Sequence, residues 1–180
     1  MLASPALSGR RPGGPSRWTG PACSSLLVRP GTEPHVQEIL DKLQALVGHP
    51  VPQELLDVLT AYPRELRAQA EAMGFAPYEQ ALYPDLETVL AGNESVREED
   101  IWTEEGPWPQ GYLDIGADIG GDHYALVLHE SPPRVHALNH ETGRFAPLTA
   151  TLGEFVAGLC RRARGEVRLF KDAFPNRPPR

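Results

Sequence analysis

Four histidines are the first residues whose chemistry invites a test. His123, His129, His136 and His140 stand among Asp122, Glu130 and Glu141. A metal ion would need three or four of these to converge within a few ångströms. In a strand, His123 and His129 share a face, as do His136 and His140, but six residues of strand span about 20 Å. His123 and His129 therefore cannot grip one ion. The set reads as strand-end and surface histidines, and a metal-dependent hydrolase built on the His/Asp cluster stays as a second alternative. The segment Gly116-Ala117-Asp118-Ile119-Gly120-Gly121-Asp122 is the next candidate. A phosphate cradle would want Lys or Arg within it and a helix straight after it, and it has neither. It also lacks the ligand spacing of a calcium loop. Its glycines supply backbone angles that other residues avoid, which suits a reversal between two strands. Cys160 has no nucleophile signature around it and falls inside an apolar helical pattern. The chain is expected to be no enzyme, with no catalytic residues, no metal and no cofactor.

The acidic stretch says more about function. Glu98, Glu99, Asp100, Glu104 and Glu105 surround Trp102, with Glu94 before them and Trp108 close behind. Charge runs are commonly solvated faces. An acidic patch around an aromatic anchor also suits a protein-binding surface, because charge steers the encounter and tryptophan supplies a hot spot. Both readings stay open for Glu98, Glu99, Asp100, Trp102, Glu104 and Glu105. Trp108, just ahead of a strand, is expected in the core.

Charge narrows the partner. The net charge is −7, from 17 basic and 24 acidic residues. Residues 1–30 hold four arginines (Arg10, Arg11, Arg17, Arg29) and no acid, so the rest of the chain keeps 13 of the 17 cations and all 24 acids, a net of −11. Phosphate neutralisation needs lysine and arginine, so an acidic domain argues against direct binding of nucleic acid. It favours a basic protein partner. The oligomeric state is left open.

The elements that must position these residues follow from periodicity. A helix is expected over 32–47, capped by Thr32, with Val36, Ile39, Leu40, Leu43 and Val47 on one face. A second should start at Pro52, and Pro63 should restart or kink it before Gly74. A short helix from Pro84 should stop at Gly92. From Tyr112 the period becomes that of strands: 112–115, a doubly apolar central strand 123–129, 135–140, and 145–148 shortened by Pro147. Thr151-Leu152-Gly153-Glu154 is a capping box opening a last helix that packs Phe155, Val156 and Leu159 and ends near Arg161, Arg162 and Arg164. The organisation is an N-terminal arm (1–31) rich in Pro, Gly, Ser and Arg, one α+β domain (32–165) and a C-terminal tail (166–180). Its fold class is α+β: an antiparallel meander packed by N-terminal helices and a closing C-terminal helix.

Two cysteines, Cys23 and Cys160, fit a reducing compartment better than a disulfide. No apolar run approaches the ~18 residues of a membrane span. Arg10-Arg11 and Ala22-Cys23 suggest export signals, but residues 12–22 are no apolar h-region, so a cytoplasmic location is expected. The arm 1–31 is expected to be disordered, and a later translation start, for example at Val28, is the sharper alternative.

From Trp108 to Leu159 the chain resembles the SUKH superfamily, which includes the Smi/Knr regulators and many bacterial immunity proteins. The resemblance lies in Ile115-Gly116, the turn Asp118 to Asp122, Tyr124 to Leu128, Val135 to Glu141, and Thr151 to Phe155. Pro52 to Leu59 is similar to the family's proline-initiated helix. Ile119 departs from the pattern, standing where the family often has glycine. The segment 62–83 also lacks the aromatic, Asn-Gly-containing helix end of the pattern. The family-pattern turn and strand residues are Gly116, Asp118, Gly120, Gly121, Asp122, His140 and Glu141. The resemblance implies a cytoplasmic immunity protein that binds and neutralises a toxin, such as a basic nuclease of a bacterial toxin system. A regulatory scaffold of the Smi/Knr type, binding cellular proteins, is the first alternative.

Overall fold

The computed structural model of the protein describes residues 33–98, 101 and 103–173. Outside them lie the arm 1–31, the Thr32 cap, Cys23, Glu99, Asp100, Trp102 and the tail beyond Ala173. The described residues form a single α+β domain. In α1 (Glu33–Val47), Ile39, Leu43 and Val47 are buried at helical spacing, while Val36 in the first turn stays exposed. Gly48 closes the helix at φ 75, its N–H donating to the Gln44 carbonyl. Pro52, locked at φ −65, leads into α2 (Gln53–Thr60). Pro63 does the same for α3 (Arg64–Met73), so this proline restarts the helix rather than kinking it. Gly74, left-handed at φ 74, ends α3.

The next helix departs from expectation. After a single 3-10 turn at Pro77–Glu79, α4 runs Leu86–Glu98, straight through Gly92. Val89, Asn93 and Val96 are buried on one face, so core contacts carry the helix past the glycine. Gly92 serves a different end: a Cβ there would lie 2.6 Å from Cε2 of the Tyr83 ring. It is a close approach of ring to helix, not a stop signal.

The sheet is a four-stranded antiparallel meander in the order β1-β2-β3-β4. Its strands are β1 (Tyr112–Ala117), β2 (His123–Val127), β3 (Arg134–Asn139) and β4 (Arg144–Thr149). Tyr124 to Val127 are all buried, as suits a central strand. One face carries Leu113, Ile115, Tyr124, Leu126 and Val135 into the main core with the helices. The other carries Ala125 and Leu138 into a smaller cluster with Val96 and Trp108. Trp108 is buried and its indole N–H donates to the Tyr112 carbonyl at 2.9 Å.

α5 (Leu152–Ala173) closes the core with Leu152, Phe155, Leu159 and Ala163. Thr151 Oγ1 accepts from the Glu154 N–H at 3.1 Å, and the Glu154 carboxylate accepts from the N–H of Ala150, one residue before the cap. The helix extends to Ala173, beyond the boundary expected at 165. Full burial along the helix ends at Ala163, and Val167 and Phe170, four and seven residues on, continue the apolar stripe half-buried. Polar contacts hold the helix along α3: Arg164 donates to Glu65 at 3.0 Å, and Gln69 to Glu166.

Candidate functional site

The site with the densest buried chemistry centres on Asp114, fully buried in β1. Its Oδ2 accepts from the Tyr83 hydroxyl at 2.9 Å and lies 3.3 Å from His123 Nδ1. Asn93, also fully buried, clamps the strand: its amide donates to the Asp114 carbonyl at 2.7 Å, and its Oδ1 accepts from the Asp114 N–H at 3.0 Å. Arg97 donates to Asn93 Oδ1 and to the Tyr112 carbonyl. Asp114 Oδ1 has no hydrogen-bond partner among the described residues. Burial, and then the Asp114 charge, push the Tyr83 phenol far above its usual pKa, so it stays a donor.

A groove of about 830 Å³ opens in front of this network, with Tyr83 and His123 among its lining. α4 contributes Glu87, Thr88, Ala91, Gly92 and Ser95, the 3-10 turn contributes Tyr78 and Glu79, and the β1–β2 turn contributes Asp118 and Ile119. An Asp–His pair beside a groove has two parts of a general-base system. The nucleophile–base contact that acyl transfer uses is not formed among the described residues: Thr88 Oγ1 donates to Asp85, and no hydroxyl bonds His123.

The glycine-rich turn is built from the residues expected there. Asp118 Oδ1 accepts from the N–H groups of Gly120 and Asp122, and its Oδ2 from the Tyr124 hydroxyl. Asp122 Oδ1 accepts from the His140 N–H at 3.0 Å and sits 2.8 Å from His140 Nδ1. That contact holds the His140 pKa above 6.5 and the Asp122 carboxyl below its usual range. Gly121, at φ 93, lies against the His140 ring. Gly116 belongs to a different contact, since a Cβ there would collide with the Ala81 carbonyl where residues 80–83 run along β1. Glu141 is exposed beside His140.

The acidic segment is only partly described. Glu98 ends α4, exposed, and Glu105 is exposed in the turn that follows. Glu104 is engaged: Arg144 donates to both its oxygens, at 2.7 and 2.6 Å, tying this loop to the β3–β4 turn and lowering the Glu104 pKa. The structure leaves the histidines on separate partners. His123 lies on Asp114, His140 on Asp122, His136 near Glu130 at 3.4 Å, and His129 against the Tyr112 ring. Among the described residues no group of three or more His, Cys, Asp or Glu is placed to hold a metal ion. Cys160 is a free, half-buried thiol on α5, and burial raises its pKa away from the thiolate form.

Sequence reading missed Asp114, Asn93 and Tyr83 as a unit. A signal existed: a carboxylate flanked on both sides by apolar strand residues needs buried partners. No helix of the described residues is long and apolar enough to cross a membrane. Comparisons with protein-family models, with curated proteins and with solved structures return no match.

Proposed function

We propose that the chain is a non-enzymatic protein-binding domain that holds a basic partner protein, in the manner of an immunity protein neutralising a toxin. One observation carries this reading. The groove takes a carboxylate from each of three elements, Glu79, Glu87 and Asp118, and among the described residues no lysine or arginine lines it. A low-dielectric cleft lined with one sign of charge attracts the opposite sign. Ser95, Val96 and Ile101, neighbours of the acidic positions Glu94 and Glu98 in sequence, also line the groove. A nuclease toxin, whose own substrate demands a cationic surface, is the partner class that such a face complements. The SUKH-like motifs support the same reading, which places the domain's action in the cytoplasm. A Smi/Knr-type scaffold would use the same surface, and a neighbouring toxin gene would distinguish the two.

The experiment is to cross-link and capture the partner in its source organism, purify it, and follow association by stopped flow. Association should slow as salt rises. Glu98→Lys with Glu99→Lys should slow it further while leaving melting unchanged. Glu104 is best left intact, because its loss would also release Arg144. An association rate indifferent to salt and to both substitutions would overturn the charge-steered reading.

A further inference from the structure

We propose that the groove between α4 and the β1–β2 turn is the docking site for an extended basic segment of the partner protein, one with an apolar side chain flanked by arginine or lysine. This rests on the protein-binding reading and names the site and the chemistry of its occupant.

The apolar requirement comes from Tyr78 and Ile119. Single exposed apolar residues are ordinary. Here two of the three most exposed large ones among the described residues, Ile119 at 75% and Tyr78 at 66%, border the same groove. Ile119 is also held in place before any partner arrives. The Asp118 N–H donates to the Asp122 carbonyl, the Gly121 N–H to the Asp118 carbonyl, and the Asp118 side chain accepts twice more from the turn. An anchor displayed on an ordered turn loses little freedom on binding. The α4 wall behind it presents Thr88, Ala91, Gly92 and Ser95, whose small side chains leave room for an incoming one.

The basic requirement comes from the carboxylates and from what already occupies their oxygens. Asp118 Oδ1 accepts twice within the turn and its Oδ2 accepts from the Tyr124 hydroxyl, so it adds charge and less acceptor capacity than an unengaged carboxylate. Glu79 gives one oxygen to the Ala76 N–H. Glu87 lies exposed with His35 beside it, at 3.4 Å. Glu87 and the second oxygen of Glu79 are therefore the acceptors for a guanidinium or ammonium group. Side chains must do the recognising. The neighbouring edge of β1 is already taken, because the Tyr83 N–H donates to the Ile115 carbonyl and the Ala117 N–H to the Gln80 carbonyl. An added strand would find no ladder there.

The test uses the full chain and a fluorescein-labelled nine-residue peptide with one leucine between two pairs of arginines, beside a twin with glycine for leucine. Binding is read by anisotropy and by amide chemical shifts. Shifts should centre on Thr88, Gly92, Ser95 and Ile119. Ile119→Ala should weaken the leucine peptide about fivefold or more, the scale of an anchor residue. Glu87→Gln should weaken both peptides about threefold, as an exposed ion pair does. The leucine advantage should vanish in Ile119→Ala, showing that the two apolar groups meet. Glu154→Gln, an acid outside the groove, should change nothing. The proposal is overturned if neither peptide binds, or if Ile119→Ala leaves the leucine preference intact. It is also overturned if the groove amides move on reversing Arg10, Arg11, Arg17 and Arg29 to glutamate without peptide, since the chain's own N-terminal segment would then be the occupant. Shifts confined to Glu98, Glu104 and Glu105, sparing Thr88, Gly92, Ser95 and Ile119, and abolished by Glu98→Lys would remove the groove but keep the acidic protein-binding reading.

Discussion

The Tyr83 hydroxyl donates to the Asp114 carboxylate across 2.9 Å, with both residues buried. This bond joins the segment leading into α4 to the first strand, and it lies directly behind the groove. Among the described residues Asp114 Oδ1 has no partner, so the carboxylate is satisfied through Oδ2.

Tyr83→Phe should therefore destabilise the fold by about 1–3 kcal/mol, the range for leaving a buried acceptor short of a donor. Urea denaturation checks it, with the slope unchanged. A loss under about 0.5 kcal/mol, the scale of a surface change, would show that the hydroxyl does not hold the segment to the strand.

Gly92→Ala opposes two effects. Alanine favours the helix by about 1 kcal/mol over glycine. Its Cβ, however, would meet the Tyr83 ring at 2.6 Å and push it away from Asp114. Overpacking costs about 1–3 kcal/mol, and the Tyr83 bond weakens with it, so the variant should be less stable. A gain in melting temperature would show that Tyr83 shifts freely.

Phe155 is buried, 3% exposed, with its ring centroid 5.1 Å from that of Tyr124. Phe155→Ala should cost about 3–5 kcal/mol, measured by denaturant unfolding. Leu169, exposed on the same helix, should tolerate alanine within about 0.5 kcal/mol.

The Asp122–His140 pair predicts a pH window. His140 has a raised pKa in the fold, so its contribution is full below the unfolded value near 6.5 and is lost as pH rises through the folded value. Asp122 has a lowered pKa, so its contribution is present above the unfolded value near 3.8 and is lost as pH falls through the folded value. The pair therefore helps most between about pH 4 and pH 6.5. The melting-temperature gap between wild type and His140→Gln should be widest near pH 5–6 and narrow by pH 9. A gap constant from pH 5 to 9 would mean the histidine acts only through its shape.

The meander was legible because its signals are local. Period-two apolar strands are separated by Gly, Pro and Asp turns, and each strand pairs with its sequence neighbour. The Asp118–Asp122 turn was readable for the same reason. The Asp114 network was not, because its partners Asn93 and Tyr83 stand 21 and 31 residues away. Gly92 misled because a glycine at a helix end and one beneath a packed ring look alike in sequence. The length of α5 was missed although Val167 and Phe170 carry its apolar period past Ala163, because Arg161, Arg162 and Arg164 read as the cationic end of a helix. The groove escaped as well, since its walls come from three segments whose small, acidic and aromatic residues meet only in space.

The position of α5 also sets the order in which this protein can be finished on the ribosome. The hairpins of the meander need only chain that has just emerged. The buried faces of α3 and the sheet are covered by Leu152, Phe155, Leu159 and Ala163, which are translated after every surface they cover. Until that helix clears the exit tunnel, the nascent chain carries an open apolar face of the kind that recruits chaperones. A truncation inside α5 would release the polypeptide in this unfinished state and send it to quality-control proteases.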